Sequence, residues 1–216
     1  KTGRRVDRLE ADGANAAEVV VGDRPIFEDV AAWYARPEIA RHLDVADAAV
    51  GQPFARLRLN PRYGFLRDID WLDTGDGMIQ ALPMLAAAAQ ARVRGEAGIL
   101  AVEAPESLLH ANAQQALADH VCQIAAGTHA PTIVLETHSR IWLLSVQLAI
   151  AEGRLPPERV RVYWFDQETT GECIATPVEF DRYGRPLNAW AEASFDEEQA
   201  LARRLLGQQL RDGAFG

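Results

Sequence analysis

Glu103 and Glu106 lie just past the apolar run Gly98 to Val102, and Glu136, Thr137, His138 and Ser139 close a second run that begins at Thr132. A carboxylate at the end of a strand can hold magnesium beside a bound nucleotide, and a polar side chain there can reach the phosphate or the attacking water. A third group, Asp73-Thr74-Gly75-Asp76-Gly77, precedes the alanine-rich stretch Met78 to Arg92. Glycines just before a helix let backbone amides point at an anion, and the helix dipole adds to the attraction. Each signal alone is ordinary: strands end in acids for turn or cap reasons, glycine turns cap helices, and a lone histidine is more often structural. Two strands with polar ends, one helix apart, favour a site over a coincidence.

The elements that must position these groups can be read from periodicity. Ile99 to Val102 is a short continuous apolar run of the kind buried on both faces of a parallel sheet, with its acids at the carboxyl end. Open α/β sheets hold ligands at that edge. Ser107 to Ala126 reads as an amphipathic helix, and Thr132 to Leu135 repeats the design of strand followed by polar cluster. The spacing predicts neighbouring or near-neighbouring parallel strands, with Glu103 and His138 opening onto the same edge.

The segments VEAPESLLHANAQQALAD, IVLETHSRIWLL and DTGDGMIQALPML resemble the Walker B, switch-histidine and signature segments of bacterial ABC-type ATPases related to the OLD (overcoming lysogenisation defect) and RecF-like ATPases. The patterns there read roughly E-E-P-E-S-H-L-H-P, E-T-H-S and G-x-G-x-S-Q-x-L-P. The resemblance covers about Arg8 to Glu197, and R-L-x-A-D-G-A-N-A-A-E-V, from Arg8, is similar to a stretch that precedes the helical lobe in the same group. It implies that Glu103 holds Mg²⁺ through its water shell, that His138 contacts the γ-phosphate and attacking water, and that Glu106 is an acid of the following loop. It also implies that Gly75, Gly77 and Gln80 belong to a loop reaching across a dimer to ATP held by the other subunit. His110 matches the histidine of L-H-P, where its residue type suits either a dimer contact or a helix cap. Glu136 sits where it could approach the same water or simply close the strand.

Three departures from the pattern weaken the chemistry it implies. Ala104 stands where the group carries the glutamate that polarises water, and loss of such a base costs about 10²–10⁴ in rate. Ile79 replaces the usual serine of the signature, and Asp76 adds a negative charge where phosphate would lie. The sequence also contains no G-x-x-x-x-G-K-[ST], the loop that wraps phosphates, and the helix expected after Lys1-Thr2 is missing. Either the chain is the C-terminal part of a longer ATPase or it works without that loop.

Composition bounds the remaining possibilities. With 216 residues the chain forms one large domain or two small ones, and its net charge of −9, with pI about 5.1, gives no global attraction to nucleic acid or anionic lipid. No run reaches the roughly 18 apolar residues of a membrane span, so no membrane partner is expected. Cys122 and Cys173 are too few for a disulfide or metal framework, which agrees with a cytoplasmic location. Arg56, Arg58, Arg62 and Arg67 form a local positive excess that suits either a solvated strand face or contact with DNA or a partner.

Along the rest of the chain, Ala16 to Val20 opens a helix after the Asp12-Gly13-Asn15 turn, and Ile26 to Leu43 reads as two short helices broken at Pro37. Trp33 and Tyr34 are packing residues, and His42, His120 and His129 are structural. Val50 to Leu72 is strand-like, Arg140 to Gly153 a helix, Val160 to Phe165 and Cys173 to Phe180 a hairpin, and Glu197 to Leu210 a terminal helix with Leu201, Leu205 and Leu206 on one face.

The fold class expected is α/β: a P-loop NTPase half-fold of ABC type, with a parallel sheet, a helical insert before the signature loop, and a C-terminal β-hairpin and helix. The expected domains are a linker and helical-lobe segment (1–50), the C-terminal half of the ATPase core (51–155), and the hairpin with its helix (156–216). The function the resemblance implies is ATP binding at a dimer interface, in phage defence or DNA maintenance. Its implied partners are a like or unlike second subunit, a nuclease and DNA. The rival reading is a degenerate pseudo-ATPase kept as a dimerisation or interaction module.

Overall fold

The computed structural model describes residues 8–46, 56–65, 69–95, 98–128, 130–188 and 203–205. The chain divides into two compact units, Lys1–Leu155 and Pro156–Gly216.

Among the described residues the first unit holds five α-helices. α1 (Ala16–Gly22) buries Val19 and Val20. In α2 (Arg24–Tyr34) Asp23 accepts from the Ile26 amide at the N-cap, and Ile26, Val30, Trp33 and Tyr34 fall on one buried face at helical spacing. Trp33 and Tyr34 meet edge to face at 4.9 Å, Tyr34 and Trp71 at 5.7 Å, and the Trp33 indole N–H donates to the Ala116 carbonyl at 3.3 Å. Packing is thus the role of both α2 aromatics, and truncating Trp33 to alanine would cost about 3–5 kcal/mol.

α3 (Asp76–Arg94) is the long central helix, closed by Gly95 in the left-handed conformation with Arg92 and Arg94 in its last turn. Gly13, itself at φ +71, forms the notch in which Pro83 of this helix sits; a Cβ there would come within 2.6 Å of the Pro83 Cβ. α4 (Ala111–Ala125) completes the core with Ala113, Ala116, Leu117 and Val121.

The second short helix expected before Leu43 is instead a strand. β1 (Arg41–Ala46) pairs antiparallel with β2 (Arg56–Pro61), Leu43 opposite Leu59. Pro37 stops the helix, and beyond it His42, Leu43, Asp44 and Val45 alternate polar with apolar. The four-residue spacing of Ile39 and Leu43 imitated a helix across that break. Residues 50–55 and 66–68 of the expected strand-like stretch lie outside the described residues.

β3 (Ile99–Glu103) and β4 (Thr132–Glu136) pair in parallel, residue for residue from Ile99 opposite Thr132 to Glu103 opposite Glu136, with α4 as the crossover. This is the expected pairing. Burial on both faces is not observed: Val102, Ile133 and Leu135 pack on the core, whereas Ile99 is 79% and Val134 54% exposed. α5 (Arg140–Ala151) follows β4 and packs along α4.

In the second unit β5 (Val162–Gln167) and β6 (Cys173–Val178) form the expected antiparallel hairpin, turned at Gly171. Of the expected terminal helix only 203–205 lie among the described residues, and these are helical.

Candidate functional site

The carboxyl ends of β3 and β4 bring Glu103 and Glu136 side by side, both exposed, with His138 two residues beyond. Three links hold the surrounding loops. The Ala104 amide donates to the Glu136 carbonyl at 2.8 Å, tying the two strand ends together. Glu106 is half-buried and uses both carboxylate oxygens: Thr137 Oγ1 donates to Oε2 at 2.7 Å and the His138 amide donates to Oε1 at 2.8 Å. Ser139 Oγ donates to Gln114 Oε1 at 2.8 Å, and Gln114 Nε2 donates to the Leu109 carbonyl at 2.8 Å. The turn carrying His138 is therefore fastened to the loop that follows β3.

The glycine loop reaches the same loop from the other side. Gly75 caps α3 at φ +95, and Gly77 packs so closely on Leu108 that an added Cβ would lie 2.8 Å from its carbonyl carbon. Tyr34 donates its hydroxyl to the Met78 carbonyl at 2.8 Å and fixes the first turn of α3; burial pushes this phenol well above its ordinary pKa, so it remains a donor. Leu108 and Ala104 both hold positive φ, +59 and +43, which costs a non-glycine residue about 1–2 kcal/mol each. Strained backbone of this kind collects where the surrounding contacts fix a functional loop. Leu108, 65% exposed, turns an apolar side chain outward from this strained position.

The structure brings Glu103, Glu106, Glu136 and His138 to one sheet edge and joins Gly77 to the 104–110 loop. Gln80 is exposed on the first turns of α3. His110 is the exposed N-cap of α4, as its helix-capping alternative expects, though its side chain makes no cap bond. Asp76, in the first turn of α3, already complements the positive end of that helix. The sequence pattern assigns no role to Gln114 and marks Thr137 only as part of a polar cluster. The signal for Gln114 was a glutamine in the first turn of an amphipathic helix, four residues past the candidate His110.

Among the described residues no three His, Cys, Asp or Glu side chains form a group able to hold a metal ion. Magnesium takes one or two carboxylates and completes its shell with waters and phosphate oxygens. Glu103, exposed at the end of β3, is the carboxylate that would hold such an ion. A bound magnesium ion would supply positive charge to offset the negative charge that develops on a transferring phosphate.

A mixed α/β unit whose parallel strands end in acids, beside a glycine loop opening a helix, agrees with the expected half-fold of a P-loop NTPase. Residues 5–144, more than half of the chain, match the family described as "AAA domain, putative AbiEii toxin, Type IV TA system", and the chain belongs to this family of AAA domains. No protein of curated function matches it. Among solved structures, it is similar to a chain from work on ATP-driven dimerization and DNA-stimulated activation of SMC ATPases. That match has TM-score 0.51 and 8% identity over 71% of this chain and 83% of the other. It is also similar to the Smc head domain with an extended coiled coil, bound to the C-terminal domain of ScpA, from Pyrococcus furiosus. There the TM-score is 0.52 and the identity 9%, over 76% of this chain but 37% of that one. At such identities the likeness is one of fold. Among the described residues no helix is long and apolar enough to cross a membrane.

Proposed function

We propose that this chain supplies the signature, Walker B and switch-histidine segments of an ABC-type ATPase related to the OLD-like group, and that it binds ATP with Mg²⁺ at a dimer interface. The observation that carries the reading is the in-register pairing of β3 and β4, which sets Glu103, Glu136 and His138 at one edge. In this reading Glu103 holds the magnesium and His138 faces the γ-phosphate. Gly75, Gly77 and Gln80 present the amide-rich end of α3 to the phosphate of the opposite subunit, with His110 at the rim. Glu106 belongs to the catalytic loop as a positioning residue, because its oxygens are engaged by Thr137 and His138. DNA maintenance or phage defence, in the cytoplasm and beside a nuclease, is the biological setting proposed.

A second reading, a pseudo-ATPase acting as a dimerisation module, is favoured by Ala104 in the water-polarising position. The test is His138→Ala in the intact protein, with ATP turnover and nucleotide affinity measured together. Turnover lower by about 10²-fold with affinity unchanged supports the catalytic role. Turnover equal to that of the parent rejects it, and a parent without turnover above background favours the module.

A further inference from the structure

We propose that the open end of the β1–β2 pair, where β1 begins and β2 ends, is a binding surface for single-stranded nucleic acid. Beside α2 and the ends of both strands lies a cleft of about 400 Å³ lined by Arg41, His42, Asp44, Asn60 and Arg62 among others. Two aromatic side chains follow at once: Tyr63 is 74% exposed and Phe65 fully exposed. Large aromatic rings left in water beside a polar cleft mark an interaction surface.

Among the described residues neither Arg41 nor Arg62 has a carboxylate partner. Arg62 is preset: its amide donates to the Ala40 carbonyl at 2.9 Å, Nη1 donates to the Ala35 carbonyl at 3.2 Å, and the guanidinium stands 5.8 Å from the Tyr63 ring centre. Asp44, the one acid among the described residues lining the cleft, is engaged by its own neighbours, through His42 Nε2 at 3.0 Å and Asn60 Nδ2 at 3.3 Å. Residues 41–65 carry four arginines against two aspartates in a chain of net charge −9, so this segment runs against the charge of the whole.

Guanidinium groups beside open aromatic faces match a phosphate backbone whose bases are unstacked, because every base offers a π-face and Arg adds cation–π attraction. A duplex keeps those faces stacked inside, so the aromatic pair selects single strands. The proposal extends the DNA side of the function above and does not depend on the nucleotide site.

The test uses the full chain and a short fluorescently labelled oligothymidylate, with anisotropy read at low and physiological salt, no ATP, and an unlabelled duplex as competitor. Tyr63→Ala and Phe65→Ala should each weaken binding about 5- to 100-fold. Arg41→Gln and Arg62→Gln should each lower the slope of log affinity against log salt by about 1. Thermal unfolding of each variant checks that the fold is kept. The proposal is overturned if the parent does not bind the oligonucleotide at low salt, if Tyr63→Ala/Phe65→Ala binds as tightly as the parent, or if the duplex competes as well as an unlabelled single strand. Retained ATP binding alongside any of these results would reject the surface and leave the nucleotide reading standing.

Discussion

Replacing Glu106 by alanine should release the turn that carries His138. The carboxylate accepts from Thr137 Oγ1 at 2.7 Å and from the His138 amide at 2.8 Å, and among the described residues no other hydrogen bond holds that amide. A hydrogen bond to a charged group is worth about 1.5–3 kcal/mol. The Thr137 bond, half-buried, keeps its full share, while His138 is exposed and water would replace part of the second. The sum is about 2–4 kcal/mol, or about 5–15 °C in Tm for a domain of this size. Glu106→Gln keeps an oxygen for the His138 amide and loses the charge, so it should cost about half as much. Thermal unfolding gives the global value, and hydrogen exchange at the His138 amide gives the local one, expected to accelerate about tenfold or more in the alanine variant. Unchanged exchange at His138 together with unchanged Tm would refute the claim that Glu106 holds this turn.

Gly77→Ala should destabilise the protein by about 1–3 kcal/mol, seen as a lowered urea midpoint, because the new methyl meets the Leu108 carbonyl rather than a movable side chain. Ala104→Glu in the intact protein should raise ATP turnover by about 10²–10⁴ and leave nucleotide affinity nearly unchanged, since the carboxylate acts on water in the transition state. If Asp76 and Ile79 already block loop closure, only the triple change Asp76→Gly, Ile79→Ser, Ala104→Glu recovers activity; no turnover in either variant despite normal binding contradicts a lost base as the limit. His120 is held below the ordinary histidine pKa by burial, with Asp29 opposing and Arg36 and Arg92 reinforcing the shift. The unfolded chain therefore binds more protons below the usual histidine range, and stability should fall as pH drops through it. His120→Gln should flatten that part of the stability profile.

Continuous apolar runs and strong turn residues made the site-bearing elements legible. The run Ile99 to Val102, the repeat at Thr132 to Leu135 and the glycines before α3 gave the parallel pair and the long helix from local pattern alone. The same runs implied burial on both faces, yet Ile99 and Val134 face outward, because apolar character fixes that a residue can be buried and not which neighbour covers it. β1 was hidden by an accident of spacing across Pro37. At the site, residue types marked Glu103, Glu106 and His138, but the link from Glu106 to Thr137 spans 31 residues and the one from Gln114 to Ser139 spans 25. Such pairings arise from tertiary placement and leave no periodic trace. The close packing of Gly77 on Leu108 was hidden for the same reason: a glycine tells that space is short, not what fills it.

The central claim, nucleotide-dependent association through the α3 loop, is tested most directly by sedimentation velocity of the intact protein with and without Mg²⁺-ATP. The account predicts that ATP raises the dimer fraction. It further predicts that Asp76→Asn, which removes a negative charge at the helix end while keeping side-chain shape, raises it again. An unchanged mass on saturation with ATP, in both the parent and Asp76→Asn, would contradict it.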